Sequence, residues 1–156
     1  MFRITKLADY GIVVLSELAA FADGLATVPN LTEQTSIPEP TVSKVIKILA
    51  KGGLVSAKRG VKGGYRLERG LDQIQVLEVI TLFEGPIAVT ACSDFTDEQC
   101  RMGSMCRMKG RWNKVNQALH NALKQLTVAD LMADEPAVRK PASGSEATVV
   151  QKRMGV

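Results

Sequence analysis

Two stripes of apolar residues at helical spacing in the first third of the chain, a glycine-rich basic hairpin behind them, and one more long stripe near the C-terminus predict a mainly α fold. The arrangement expected is a winged helix-turn-helix carrying a long C-terminal dimerisation helix. In the first helix Ile4, Leu7, Ala8, Gly11, Val14, Leu15, Leu18, Ala19 and Ala22 share one face, Thr5 is the N-cap, and Asp23-Gly24 ends the run. A shorter helix spans Val28 to Thr35, with Pro29 in the first turn, where a missing N–H costs nothing. Ser36, Ile37 and Pro38 form a tight turn with one apolar residue tucked inward. The third helix starts near Pro40, buries Val42, Val45, Ile46 and Leu49, and stops at Gly52-Gly53. It shows Thr41, Ser43, Lys44, Lys47 and Lys51 outward. Leu54 to Ala57 and Tyr65 to Leu67 read as strands around Lys58-Arg59-Gly60-Val61-Lys62-Gly63-Gly64, a tip whose glycines allow close approach to another backbone.

A fourth helix follows through Val76, Val79, Ile80 and Phe83 and ends at Gly85-Pro86. Periodicity then vanishes up to Cys106. Trp112, Val115, Leu119, Ala122, Leu123 and Leu126 next predict a helix of about twenty residues, and Thr127-Val128-Ala129-Asp130 caps a last short turn. The long stripe would be exposed on a lone chain, so a symmetric homodimer is expected, an arrangement suited to palindromic double-stranded DNA. The division expected is a DNA-binding unit over 1–85, a cysteine loop over 86–106, a dimerisation helix over 107–133 and a disordered tail over 134–156.

Of the 156 residues 46% are apolar and 23% charged, which excludes a wholly disordered chain. No apolar run approaches the roughly 18 residues that would span a bilayer. The first residues lack the pattern of a signal peptide, so a cytoplasmic protein is expected. The formal charge is only +4, but its placement is uneven. Between Thr41 and Leu67 lie seven basic residues, Lys44, Lys47, Lys51, Lys58, Arg59, Lys62 and Arg66, and no Asp or Glu. On a helix-turn-helix with a basic wing this reads as a surface for a polyanion. Thr41, Ser43 and Lys44, near the start of the third helix, are assigned to base edges. Lys47, Lys51, Lys58 and Lys62 are assigned to phosphates, and Arg59 to a narrow A·T-rich minor groove.

Three cysteines, Cys92, Cys100 and Cys106, are spaced C-x7-C-x5-C in a loop that leads to a helix N-terminus. An odd number of thiols in a reducing compartment argues against a disulfide framework. Three soft ligands, kept deprotonated by the positive helix end, suit an iron–sulfur cluster or a zinc ion with a fourth ligand from elsewhere. Inert buried thiols are the third reading. No nucleophile, phosphate loop or carboxylate pair points to an enzyme.

The opening Phe2-Arg3-Ile4-Thr5-Lys6-Leu7-Ala8-Asp9-Tyr10, the run Thr41-Val42-Ser43-Lys44-Val45 to Gly53-Leu54-Val55, the wing Arg59 to Tyr65, the three cysteines and the ending Leu126-Thr127-Val128-Ala129-Asp130-Leu131 together resemble one known family. It is the winged-helix iron–sulfur transcription regulators that include IscR and NsrR. The resemblance covers about residues 2 to 133 and is greatest to the branch that regulates the SUF iron–sulfur assembly operon. It implies a cluster held by Cys92, Cys100 and Cys106, 2Fe–2S ahead of 4Fe–4S. Where some members have a histidine three residues after the last cysteine, this chain has Lys109, an ammonium that cannot ligate. Others use an acidic residue early in the first helix of the second subunit, which here is Asp9; a carboxylate there also favours the helix dipole without any metal. The only histidine, His120, is expected at the surface or an interface. The function implied is a cluster-sensing repressor of assembly genes. A nitric-oxide or redox sensor of the same fold, a regulator whose thiols hold zinc, and an iron–sulfur electron-transfer protein are the alternatives.

Overall fold

The computed structural model describes residues 3–21, 24–60, 63–90, 106–108 and 110–133. Its elements are α1 (Lys6–Ala20), α2 (Val28–Thr35), α3 (Glu39–Lys51), β1 (Val55–Lys58), β2 (Gly64–Leu67), a 3-10 turn (Leu71–Gln73), α4 (Val76–Glu84), α5 (Asn113–Gln125) and α6 (Val128–Ala133). Thr5 caps α1 as expected, its Oγ1 accepting the Ala8 N–H at 3.3 Å. The helix closes at Ala20, slightly before the end its apolar pattern suggested. Thr27 and Asn30 form a reciprocal capping box for α2, a start signal the sequence reading passed over. Ser36 turns the chain with a left-handed φ of 58°, which aims α3 away from α2 and drops Ile37 into the core.

Val42, Val45, Ile46 and Leu49 of α3 are fully buried among Val14, Leu15, Leu18, Leu31, Leu54 and Ile74. β1 and β2 pair antiparallel from Val55 opposite Leu67 to Lys58 opposite Gly64. A third piece of backbone joins them: Ala26 and Tyr65 exchange hydrogen bonds of 3.0 and 2.8 Å, tying the wing to the segment before α2.

α4 crosses the back of this unit at two places where a neighbour has no side chain. A Cβ built on Gly11 of α1 would strike the Phe83 ring, and one on Gly52, past the end of α3, would strike Leu82. Leu82 and Phe83 therefore occupy notches that only glycine leaves open.

The last two helices depart from expectation. α5 has 13 residues, about 20 Å of helix, in place of the longer one predicted, and Trp112 and Leu126 flank it as its caps. The cause is a pairing remote in sequence. Val76 N–H donates to Leu126 O and Val128 N–H to Ile74 O, both at 2.9 Å. Leu126 is thereby drawn into extended backbone, φ −95° and ψ 132°, which stops the helix. Beyond it Val128 of α6 is fully buried in the same core as Val14 and Ile74. The α5 stripe is also divided: Leu119 and Leu123 pack on Val76, Ile80 and Ile87, whereas Trp112, Val115 and Leu126 remain 36%, 49% and 42% exposed. Residues 134–156 lie outside the described ones.

Two stability measurements test these contacts. Gly11→Ala gains about 1 kcal/mol of helix propensity but must displace the Phe83 ring, at an overpacking cost of about 1 to 3 kcal/mol. Urea denaturation should show a net loss, and a variant more stable than the parent would mean that α4 yields freely at this notch. At α6, Asp130 accepts hydrogen bonds from the Thr127 hydroxyl, at 2.7 Å, and the Thr127 N–H, at 2.8 Å, which hold its carboxyl below the usual value. A lowered carboxyl stabilises the fold in full above its unfolded value, about pH 4, and loses that contribution as pH falls through the lowered one. The stability gap between the parent and Asp130→Asn should therefore be widest at neutral pH and shrink in acid.

Candidate nucleic-acid interface and cysteine site

With four apolar residues of α3 locked inside, its other face must turn to solvent. Lys44, Lys47 and Lys51 are exposed along it, and Ser43 is half-buried beside them. Pro40, Ser43, Lys44, Lys47, Ile48 and Lys51 line a shallow groove of about 370 Å³. Thr41 lies half-buried in the first turn, where its N–H is taken by Pro38 O at 2.8 Å. Lys58 ends β1 and Arg59 follows it, both exposed. Gly63 N–H donates to Gly60 O at 2.8 Å, closing the wing tip. Lys62, assigned to phosphate, lies outside the described residues.

The structure thus places Ser43, Lys44, Lys47 and Lys51 on one exposed helix face and Lys58 and Arg59 on the wing. Among the described residues the one ion pair joins Arg69 to Glu78, so none of these cations is neutralised by a described carboxylate. Arg66 is engaged locally, its Nε donating to Ser56 Oγ at 3.3 Å across the sheet, opposite its register partner.

The cysteine site is described at its two ends. Cys92 and Cys100 lie outside the described residues. Cys106 is half-buried and forms no disulfide with a described residue. It does not sit at a helix N-terminus as expected, because turns closed by Arg111 N–H to Met108 O and Asn113 N–H to Gly110 O intervene before α5. Asp9 is exposed in the first turn of α1. That helix end already has a carboxylate: Glu84, the last residue of α4, accepts the Thr5 N–H at 2.7 Å. Among the described residues no three His, Cys, Asp or Glu side chains converge as a metal site.

The stem of the cysteine loop is held firmly. Asn116 is 3% exposed, and its Oδ1 accepts the Val89 N–H at 3.2 Å. His120, one turn on and half-buried, places Nε2 2.9 Å from Ile87 O. His120 was expected at the surface or an interface, and Asn116 carries no motif that singles it out. Their i, i+4 spacing with one polar residue inside an apolar stripe was the available signal.

Among the described residues no helix is long and apolar enough to cross a membrane. The family profile of Rrf2, described as an iron-dependent transcriptional regulator, matches residues 4–134. Over 132 residues the chain is 30% identical to the HTH-type transcriptional regulator ORF2 of Azotobacter vinelandii, covering 84% of this chain and 79% of that one. It is similar in structure to IscR of T. potens, with a TM-score of 0.64, 28% identity and coverage of 89% and 93%. CymR of B. subtilis, a global cysteine regulator, gives the same TM-score at 25% identity, with 85% and 98% covered. Members of the matched family are transcriptional regulators and not enzymes. Winged helix, acid-free basic face and a match over most of its length agree, and the chain belongs to the Rrf2 family of DNA-binding transcriptional regulators.

Proposed function

We propose that this regulator senses iron–sulfur supply through its own cluster and represses iron–sulfur assembly genes of the SUF type, as a homodimer on a palindromic operator. The observation that carries the reading is the set of three cysteines within fifteen residues, in a chain matched by an iron-dependent regulator family. The donor chemistry fits: Cys106 is a half-buried free thiol, and thiolates are the ordinary ligands of 2Fe–2S and 4Fe–4S clusters. Cys92, Cys100 and Cys106 would hold it, with Asp9 of the partner subunit as fourth ligand. When bound, the cluster supplies a redox-sensitive iron centre. The wide first cysteine gap supports the SUF branch.

The chain's own residues do the rest. Ser43, Thr41 and Lys44 read base edges from the start of α3, Lys47, Lys51, Lys58 and Lys62 hold phosphates, and Arg59 enters the minor groove. Trp112, Val115 and Leu126, left exposed by the packing of α5, supply the apolar contact between subunits. A second reading is a regulator of the same fold whose thiols respond to oxidants or nitric oxide without an assembled cluster; the likeness to CymR, a regulator of cysteine, keeps open a signal other than iron–sulfur supply. Acid-labile sulfide with visible absorbance in protein purified without oxygen decides between them.

Alanine at Cys92, Cys100 or Cys106 should leave the fold intact and abolish stable uptake of iron and sulfide; any of the three that retains both is not a ligand. Asp9→Ala should still fold and bind DNA but lose its cluster faster, and an unchanged spectrum and lifetime would leave Asp9 as a helix-dipole partner only. On DNA, Lys47→Ala should weaken binding to all sequences and flatten the log–log salt slope by about one unit. Arg59→Ala should cost more on A·T-rich sites, and equal losses on every sequence would remove it from the minor groove.

A further inference from the structure

One acidic side chain stands at the start of the otherwise cationic outward side of α3. Glu39 is the first residue of that helix and is exposed, and the next acid along the chain is Glu68, beyond the wing. Proline holds its backbone on both sides: Pro38 has φ −56°, and Pro40 follows in the first turn. Pro38 O accepts the N–H groups of Thr41 and Val42 at 2.8 and 3.0 Å, so the turn that carries Glu39 is closed. Three and four residues on, where a helix offers its pairing partners, stand the fully buried Val42 and the neutral Ser43. Lys44 is one residue out of that register. Glu39 accordingly has no ion pair or hydrogen bond with a described residue.

Ser43 lies one turn further along the same stripe and lines the shallow groove with Lys44 and Lys47. Helical side chains lean toward the N-terminus, which puts Glu39 ahead of Ser43, at the tip by which a recognition helix meets base edges. A carboxylate there is repelled by phosphates and by the acceptors of the groove unless a donor meets it. In the major groove guanine presents two acceptors, thymine an acceptor and a methyl group, and adenine an acceptor beside its amino group. Cytosine alone presents a donor, its N4 amino group, with no acceptor on the same base. We infer that Glu39 is a specificity-determining residue, which accepts a hydrogen bond from cytosine N4 at one position of the operator and penalises the other bases there. The inference deepens the proposed reading of bases by α3 and rests on it. A carboxylate in a first turn also favours the helix dipole, but that effect acts on folding and is blind to DNA sequence.

The experiment uses the full chain, purified without oxygen, to select sites from randomised duplex DNA, then measures affinity for the selected duplex with one base pair changed at a time. The parent should prefer cytosine about tenfold at one position. Glu39→Ala should remove that preference and leave those at other positions in place. Glu39→Gln, whose amide both donates and accepts, should lower it and admit adenine. Lys47→Ala, the reference, should weaken binding to every duplex and keep the preference for cytosine. A Glu39 variant that keeps the parent's full preference overturns the inference. So does a Glu39→Ala that gains affinity equally on all duplexes, the mark of simple charge repulsion, or one that loses only unfolding stability, the mark of a helix-dipole partner. In each of these cases a weakened Lys47→Ala leaves the DNA-reading role of α3 standing. A parent that selects no sequence, or a Lys47→Ala that binds as the parent does, removes that role and the inference together.

Discussion

The close approach of α4 to two glycines is the contact on which the remainder of the molecule depends. Phe83 seats at Gly11 in the middle of α1, and Leu82 at Gly52 beyond the end of α3. A methyl group on buried Gly11 would have to displace the Phe83 ring, and one on Gly52 the end of the Leu82 side chain. With α4 seated, Glu84 reaches the first N–H of α1, and Gly85 releases the chain into the cysteine loop from a fixed point. The start of α4 is fixed as well, by the hydrogen bonds between residues 74–76 and 126–128. One short helix therefore touches the helix that carries Asp9, the end of the recognition helix and the stem of the loop.

The recognition face follows from an economy of burial. Four apolar side chains of α3 enter the core, and the outward side carries Lys44, Lys47 and Lys51 beyond an exposed Glu39 in the first turn. Among the described residues none of these cations is ion-paired, so their field reaches into solvent, screened by salt. Such a surface attracts a polyanion from a distance and releases its counterions on contact, which makes affinity strongly salt-dependent. The wing gains its stiffness from the Ala26–Tyr65 pairing, which turns a two-strand ribbon, marginal by itself, into part of the core.

α5 divides one amphipathic surface between two uses. Leu119 and Leu123 close against α4, while Val115 and Trp112 stay open. The expectation that the whole stripe awaited a second subunit overlooked how much of it the chain itself covers. What stays exposed is a smaller apolar surface, Trp112 and Val115 at the start of the helix and Leu126 at its end.

Local signals in the sequence sufficed to determine the helix-turn-helix, the wing and the charge of the outward face. The 3.6-residue spacing of Val42, Val45, Ile46 and Leu49 allows only one side of α3 to be buried, and Thr5 and Thr127 mark helix starts through bonds to residues three away. Three cysteines in fifteen residues likewise name a soft-ligand chemistry without a structure. The tertiary structure alone decided where α5 ends, which half of its stripe is covered, that α6 returns to the first core, and that Asn116 and His120 face residues 87–89. Each depends on hydrogen-bonded groups 27 to 54 positions apart in the chain, such as Val89 with Asn116 and Val128 with Ile74. Periodicity reports that a side of a helix is apolar but carries no information on which distant surface covers it, and a backbone carbonyl such as that of Leu126 leaves no mark in the sequence of the partner it will meet.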